Sequence, residues 1–260
     1  MNPIFDLLDQ HRSIRKYKTN AVAPELVKSI LHSGMRASTS GNMQFYSIIQ
    51  STHTDLKEKL YHAHGKQSMV RMAPIVLTFC CDLRRLQIWM DAYKAPGNFN
   101  NFISFLRGVI DVSLVAQNIA IAAESSCLGI CYMGSTLMNA KKITEILKLP
   151  QLVIPVTSMV MGYPEESPKK IERLAYESIV HEEVYRDRSP KEVQDIYADR
   201  DKNTWERVST NPQHASKLVD ENIQNAAQFY AKTKYTPELL QQYSNDYIEC
   251  LKKQFHQAIF

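Results

Sequence analysis

The chain has 260 residues, 44% of them hydrophobic, which is enough to bury one large core and excludes a disordered chain. With 31 Lys and Arg against 27 Asp and Glu, the formal charge of +4 is too small to argue for nucleic acid or a membrane surface as partner. Any basic site must therefore be local.

The 5 cysteines are an odd number, and Cys80, Cys81, Cys131 and Cys127 sit in apolar runs where a thiol behaves as a small hydrophobe, so a reducing compartment is expected. Cys127-Leu-Gly-Ile-Cys131 lacks the two-residue gap of a zinc or redox motif, and no metal is expected. The first residues already carry Asp6 and Asp9, and the most apolar window, Val109 to Ala123, is interrupted by Asp111, Ser113, Gln117 and Asn118. A cytoplasmic protein with no membrane span is the expectation.

In chain order, Asn2 caps a first helix with Pro3 at its first position, and Ile4, Phe5, Leu7 and Leu8 form an apolar stripe ending near His11. At its exit stands His11-Arg-Ser-Ile-Arg-Lys-Tyr17, where His11, Arg12, Arg15 and Lys16 surround the hydroxyl of Ser13. Charge-assisted hydrogen bonds from such a strip suit a phosphate, and a solvated basic turn is the bland alternative. A second helix runs from Pro24 to about Ser33, with Gly34 as its stop.

Arg36 to Gln44 is small and polar, a helix-to-strand loop or a seat for a planar ligand, and Phe45 to Gln50 reads as a strand. Leu56 to His64 is a short helix, followed by a turn over Gly65 to Ser68. The continuous apolar run Ile75 to Cys81 predicts a strand central in a sheet. Between Arg84 and Arg107, Trp89, Tyr93, Phe99, Phe102 and Phe105 are equally consistent with a lid and with covered core.

Gly108 to Ser126 is a helix apolar nearly all round, buried in the fold or across a subunit interface. Leu128 to Met133 and Val153 to Met161 are further strands, separated by a helix from Asn139 to about Leu147. Charged loop follows from Ser167, and helices resume with the capping box Ser189-Pro-Lys-Glu192 and a terminal helix opened by Thr236-Pro-Glu238. Residues 1–188 are expected to form the core and 189–260 a helical extension of the same domain. Without a Gly-x-Gly-x-x-Gly or Walker loop, a Gly-x-Ser-x-Gly elbow or a His-Glu-x-x-His pair, an enzyme of this composition would depend on a bound organic cofactor.

The stretches His11-Arg-Ser-Ile-Arg15, Arg36-Ala-Ser-Thr-Ser-Gly41 with Gln44, Gly65-Lys-Gln67, Val112 to Ser125, Tyr132-Met-Gly-Ser135, Leu147-Lys-Leu-Pro150 and Gly162-Tyr-Pro164 followed by Arg173 stand in an order that resembles the nitroreductase family of flavoproteins. The branch most resembled is that of oxygen-insensitive nitroreductase A and the flavin reductases, over about Met1 to Tyr185. The resemblance implies an α+β fold with a central mixed, mostly antiparallel sheet flanked by helices, a long core helix at a homodimer interface, and FMN in a groove between subunits. It also implies an NAD(P)H oxidoreductase with NADPH or NADH as co-substrate. Its cycle would be ping-pong, passing two electrons from nicotinamide through flavin N5 to a small-molecule acceptor such as a nitroaromatic, quinone or free flavin.

By the same resemblance His11, Arg12, Ser13 and Arg173 grip the phosphate, and Arg15 is the cation beside the flavin ring, tuning it without a separate catalytic acid. Ser38, Thr39, Ser40 and Gln67 match hydrogen-bonding positions, and Tyr132, Met133, Gly134 and Ser135 the segment lining the ring. Where the branch often carries a lysine, this chain has Ile171, and Lys170 is the candidate replacement. Two alternatives remain: other FMN chemistry in the same family, such as dehalogenation or flavin fragmentation, and a non-catalytic module for phosphate or another anion.

Overall fold

The computed structural model describes residues 2–255, so the last five residues of the expected C-terminal extension and Met1 lie outside the described residues. Two compact units are present: the chain up to Lys170 together with the segment from Tyr243 onward, and Ile171–Gln242. In order the first unit contains α1 (Pro3–Asp9), α2 (Pro24–Gly34), β1 (Tyr46–Ser51), α3 (Thr54–Ala63), α4 (Met69–Met72), β2 (Ile75–Asp82), α5 (Arg84–Ala92), α6 (Phe102–Ser125), β3 (Gly129–Met133), α7 (Ser135–Met138), α8 (Ala140–Ile146) and β4 (Val153–Gly162). The second holds α9 (Tyr176–Ile179), α10 (Pro190–Ser209), α11 (Ala215–Asp220), α12 (Ala226–Thr233) and the start of α13 (Pro237–Gln254).

The strands form one sheet in the order β1-β2-β4-β3, antiparallel at every described pairing rather than mixed. Every residue of β2 is buried, as its unbroken apolar run requires of a strand covered on both faces. Its register against β4 slips between Phe79 and Cys80, which face Thr157 and Pro155 and leave Val156 as the extra residue. Pro155 has no N–H to give the ladder, so a bulge there removes the need for one.

The long helix α6 begins six residues earlier than its apolar run predicts, because Asn101 supplies an N-cap by accepting from the Ser104 N–H at 3.0 Å. Val112, Val115, Ala116, Ile119, Ala120 and Ala123 are buried with residues of the sheet and of α2 in one core. Gly34 permits the approach of α2, since a Cβ there would lie 2.0 Å from Ile119 Cγ1. The opposite side of α6 carries Phe102, Ile103, Leu106, Ile110 and Leu114, all exposed, as are Ile4, Phe5 and Leu8 of α1. By length and hydropathy α6 also meets the criteria for a membrane span, but its buried stripe makes it the core helix of this fold.

The aromatic excursion before α6 divides. Phe99 packs edge-on against Phe45 at 5.8 Å and Phe105 is buried against Phe255 at 6.1 Å, whereas Trp89, Tyr93 and Phe102 are exposed.

The C-terminal region also divides. Ser189 and Glu192 form the expected capping box, and the second unit has its own small core of Val208, Ile223 and Phe229. From Tyr243, however, the chain is part of the first unit: Tyr247, Cys250 and Leu251 recur at helical spacing, Leu251 and Phe255 enter the main core, and Leu152 N–H donates to Gln254 O at 2.9 Å. The N-terminal segment of the first unit runs to Lys170.

Candidate functional site

The basic strip is held as a short extended segment beside the sheet. Ile14 N–H donates to Ile130 O of β3 at 2.9 Å, Lys18 N–H to Tyr163 O at 2.9 Å, and Glu165 N–H to Lys16 O at 3.0 Å. Buried Tyr17 donates its hydroxyl to Ile14 O at 2.5 Å, and burial drives its pKa well above the usual tyrosine value. Glu166 then accepts from the backbone N–H groups of Arg15 and Lys16 at 2.6 and 3.1 Å. These bonds consume main-chain groups and one acid, so the strip keeps its fold while Arg15 and Lys16 remain exposed.

The other strip side chains have partners of their own. His11 Nδ1 lies 2.7 Å from Glu124 Oε1 near the end of α6, and burial raises the Glu124 pKa against the opposing effect of His11. Arg12 donates to Gln10 and, at 3.3 Å, to Ser167 Oγ. Burial raises the pKa of the Cys131 thiol while Arg15 and Ser13 act to lower it, which places both in the electrostatic neighbourhood of β3. Lys170 Nζ sits 3.1 Å from both carboxylate oxygens of Asp9, two residues before His11. Arg173 belongs to the second unit, where it donates to Ile171 O at 2.8 Å.

At the end of β3, the segment Tyr132-Met133-Gly134 lines a groove of about 590 Å³ with Leu106, Val109, Ser113 and Gln117 of α6, and with Val156 and Tyr247. Its walls are largely apolar. A Cβ built on Gly134 would meet nothing within 4 Å, so the backbone there faces open space. Tyr132 leans toward Gln117 Oε1 at 3.5 Å, and its phenol pKa is raised by burial and by Glu124. Arg15 meets the same strand near its other end, since its neighbour Ile14 is bonded to Ile130, the second residue of β3.

Ser38 is exposed and Thr39 half-buried, and the loop they open is tied down by a residue whose role composition did not reveal. Asp111, wholly buried on α6, accepts from Ser40 N–H at 2.9 Å, from Ser40 Oγ at 3.1 Å and from Phe45 N–H at 3.1 Å. Between these anchors Gly41, Asn42 and Gln44 adopt positive φ, which the short polar and glycine residues of this loop tolerate. The Ser40 hydroxyl is accordingly committed to Asp111. A lone acid on the buried face of an otherwise apolar helix is the signal that could have found it.

Gln67 Nε2 donates to Ser135 Oγ at 3.1 Å, and the same oxygen lies 2.9 Å from His64 Nδ1. His64 is fully buried, and desolvation lowers its pKa from 6.5 to about 4. Between those values the unfolded chain binds a proton that the folded one refuses, so stability is lost as pH falls from 6.5 toward 4. The expected loss is about 3 kcal/mol. Urea unfolding of the protein and of His64→Asn at a series of pH values checks this: the variant should lack that component, and parallel curves would refute it.

Tyr132 to Gly134 and Ser135 with Gln67 therefore lie at the end of β3, and the strip from His11 to Arg15 is bonded at its start, through Ile14 and Ile130. A profile of the nitroreductase family matches residues 8–163. The chain belongs to the nitroreductase family. This nitroreductase-family chain is 34% identical over 231 residues to the oxygen-insensitive NADPH nitroreductase of Salmonella typhimurium, covering 85% of this chain and 93% of that one. It is 34% identical over 187 residues to the FMN reductase (NADPH) of Bacillus subtilis, covering 71% and 75%. Among solved structures, the NfrA1 nitroreductase of B. subtilis superposes with a TM-score of 0.79 at 28% identity over 95% of this chain and 98% of that one. The NADPH:FMN oxidoreductase of Vibrio harveyi, solved with NAD+, gives 0.73 at 25% identity, over 95% and 98%.

Proposed function

We infer that this nitroreductase-family protein is an FMN-dependent NAD(P)H oxidoreductase acting on small-molecule electron acceptors. The observation that carries the reading is the groove at Tyr132 to Gly134, where a missing Cβ leaves open space beside the backbone and a strip with the exposed cations Arg15 and Lys16 is bonded to the same strand at Ile130. A flat, anionic cofactor suits that combination: apolar walls for a ring, a glycine that admits it, and guanidinium donors for a phosphate. The chemistry that FMN supplies when bound is two-electron transfer from a reduced nicotinamide to the acceptor.

The chain's own residues would divide the work. Arg12 and Ser13, with His11 oriented by Glu124, would hold the phosphate, and Ser38, Thr39 and Gln67 would complete the seat. Lys170 adds a cation, since its exposed pair with Asp9 is worth only about 0–1 kcal/mol and yields readily to a doubly charged phosphate. Arg15 sets a fixed positive charge near β3 that favours the electron-rich state of the bound group. The open groove discriminates little between nitroaromatics, quinones and free flavins.

The protein should purify yellow, bleach on anaerobic addition of NADPH or NADH, and regain colour with a nitroaromatic or quinone. A colourless protein that takes up no FMN would overturn the reading, and a yellow one inert to both nucleotides would favour other flavin chemistry. Two arginine variants separate binding from tuning. Arg12→Ala should weaken FMN about 10-fold by titration, corresponding to one charge-assisted hydrogen bond. Arg15→Ala should in addition lower the flavin potential and slow reduction about 10-fold or more, and an unchanged potential would remove Arg15 from that role.

The active form is read as a cytoplasmic homodimer. The exposed apolar residues Ile103, Leu106, Ile110 and Leu114 on α6 recur at helical spacing over a face that one chain leaves in water. A second copy of this face would cover it. Ile110→Glu should shift the protein to monomer in sedimentation experiments and reduce FMN retention; a stable dimer in that variant would place the interface elsewhere. Free, mostly buried thiols among the described residues agree with a reducing cytoplasm.

A further inference from the structure

His64, the residue that follows α3, has no role in the reading so far, and its hydrogen bonding is incomplete. Its Nδ1 lies 2.9 Å from Ser135 Oγ, whereas its Nε2 is buried without a hydrogen-bond partner among the described residues. Gln67 donates to the same Ser135 oxygen at 3.1 Å. A serine hydroxyl offers two acceptor sites and one proton, so the direction of that proton depends on what its neighbours demand.

Gln67 fills one acceptor site. Neutral His64 carries a single ring proton, which leaves two arrangements. With the proton on Nε2, an N–H donor would be stranded in the core, and orphaned buried donors of this kind are rare and costly. With the proton on Nδ1, the imidazole donates to Ser135 Oγ and fills the second acceptor site. The Ser135 hydroxyl proton must then point away from both neighbours. Ser135 is half-buried and immediately follows Gly134, whose α-carbon faces open space. Desolvation keeps His64 neutral down to about pH 4, so the arrangement holds throughout the working range.

We propose that His64 is a positioning residue which, together with Gln67, makes Ser135 an obligate hydrogen-bond donor beside Gly134, so that the site takes a planar ligand presenting a carbonyl oxygen or imine nitrogen there. The proposal rests on the flavin reading and deepens it, because the isoalloxazine ring of FMN carries both kinds of acceptor. It also gives His64 a function through Ser135 with no contact of its own to the ligand.

Two measurements test it. On the cofactor-free protein, 15N shifts of labelled histidine rings report the tautomer: His64 protonated on Nδ1 is expected, and protonation on Nε2 would overturn the proposal. FMN titrations of four variants then follow the coupling. Ser135→Ala and His64→Leu should each weaken FMN about 10-fold, the double variant no more than Ser135→Ala alone. His64→Asn, whose amide N–H can replace the Nδ1 donor, should stay within about 3-fold of the parent. Equal losses from His64→Leu with and without Ser135, or an Asn variant as weak as the Leu variant, would overturn the proposal by showing a packing role only. Should His64→Leu fail to fold, the tautomer and the Asn variant decide. If the parent protein binds no FMN, the flavin reading fails and the named ligand with it, while the tautomer still decides the direction of the Ser135 hydroxyl.

Discussion

Asp111→Ala should destabilise the first unit by about 3 kcal/mol or more and release the loop over residues 38–45 from α6. The carboxylate of Asp111 is wholly buried and accepts three hydrogen bonds, two from backbone N–H groups of Ser40 and Phe45 and one from the Ser40 hydroxyl. Truncation leaves these donors with no replacement inside the core, and Phe45 is itself buried beside them. Asp111→Asn should recover part of the loss, because its amide oxygen can still accept from Ser40 while its NH₂ group faces the Phe45 N–H donor to donor. Urea unfolding at neutral pH is the measurement, with both midpoints below that of the parent and Ala lower than Asn. A midpoint for Asp111→Ala equal to the parent's would mean that the loop does not depend on this anchor.

Gly134→Leu has the opposite character, a large loss of cofactor with little loss of stability. Gly134 sits at φ −59°, ψ −23°, a conformation any residue adopts, and a Cβ there meets nothing within 4 Å. The fold therefore tolerates the leucine, and the side chain fills the space into which the proposed ring must fit. FMN affinity should fall by about 100-fold or more, as expected when a bulky side chain occupies a close-approach position. Titration of the cofactor-free protein, with a thermal melt of the same sample, separates the two effects. Undiminished FMN uptake by a folded Gly134→Leu protein would put the ring site elsewhere.

The two cases differ in how far they could be read in advance. Gly134 lies in a stretch singled out by its likeness to a family, and it lines the groove at the end of β3. Asp111 was visible only as an interruption of an apolar helix, because a pattern along one element shows that an acid is buried without showing what meets it there. His64 left no trace at all, since a histidine at the end of a short polar helix has nothing in its local context to mark it. Lys170 shows the same limit from the other side. Proximity in sequence to Ile171 made it a candidate for the phosphate, and the structure sets its ammonium on Asp9, a residue 161 positions away.

By itself the sequence determined what depends on neighbours along the chain: the caps at Asn2 and Ser189, the run that buries β2 on both faces, the apolar stripe of α6 and the order of the motifs that carry the resemblance. Helix and strand periodicity and capping are local properties, so a linear text records them. Only the tertiary structure decided that the sheet is antiparallel at every described pairing, that the chain from Tyr243 returns to the main core, and that Asp111 and His64 hold the loop and the serine beside the groove. Each of these joins residues far apart in sequence, and which buried polar group meets which partner is set by packing in three dimensions.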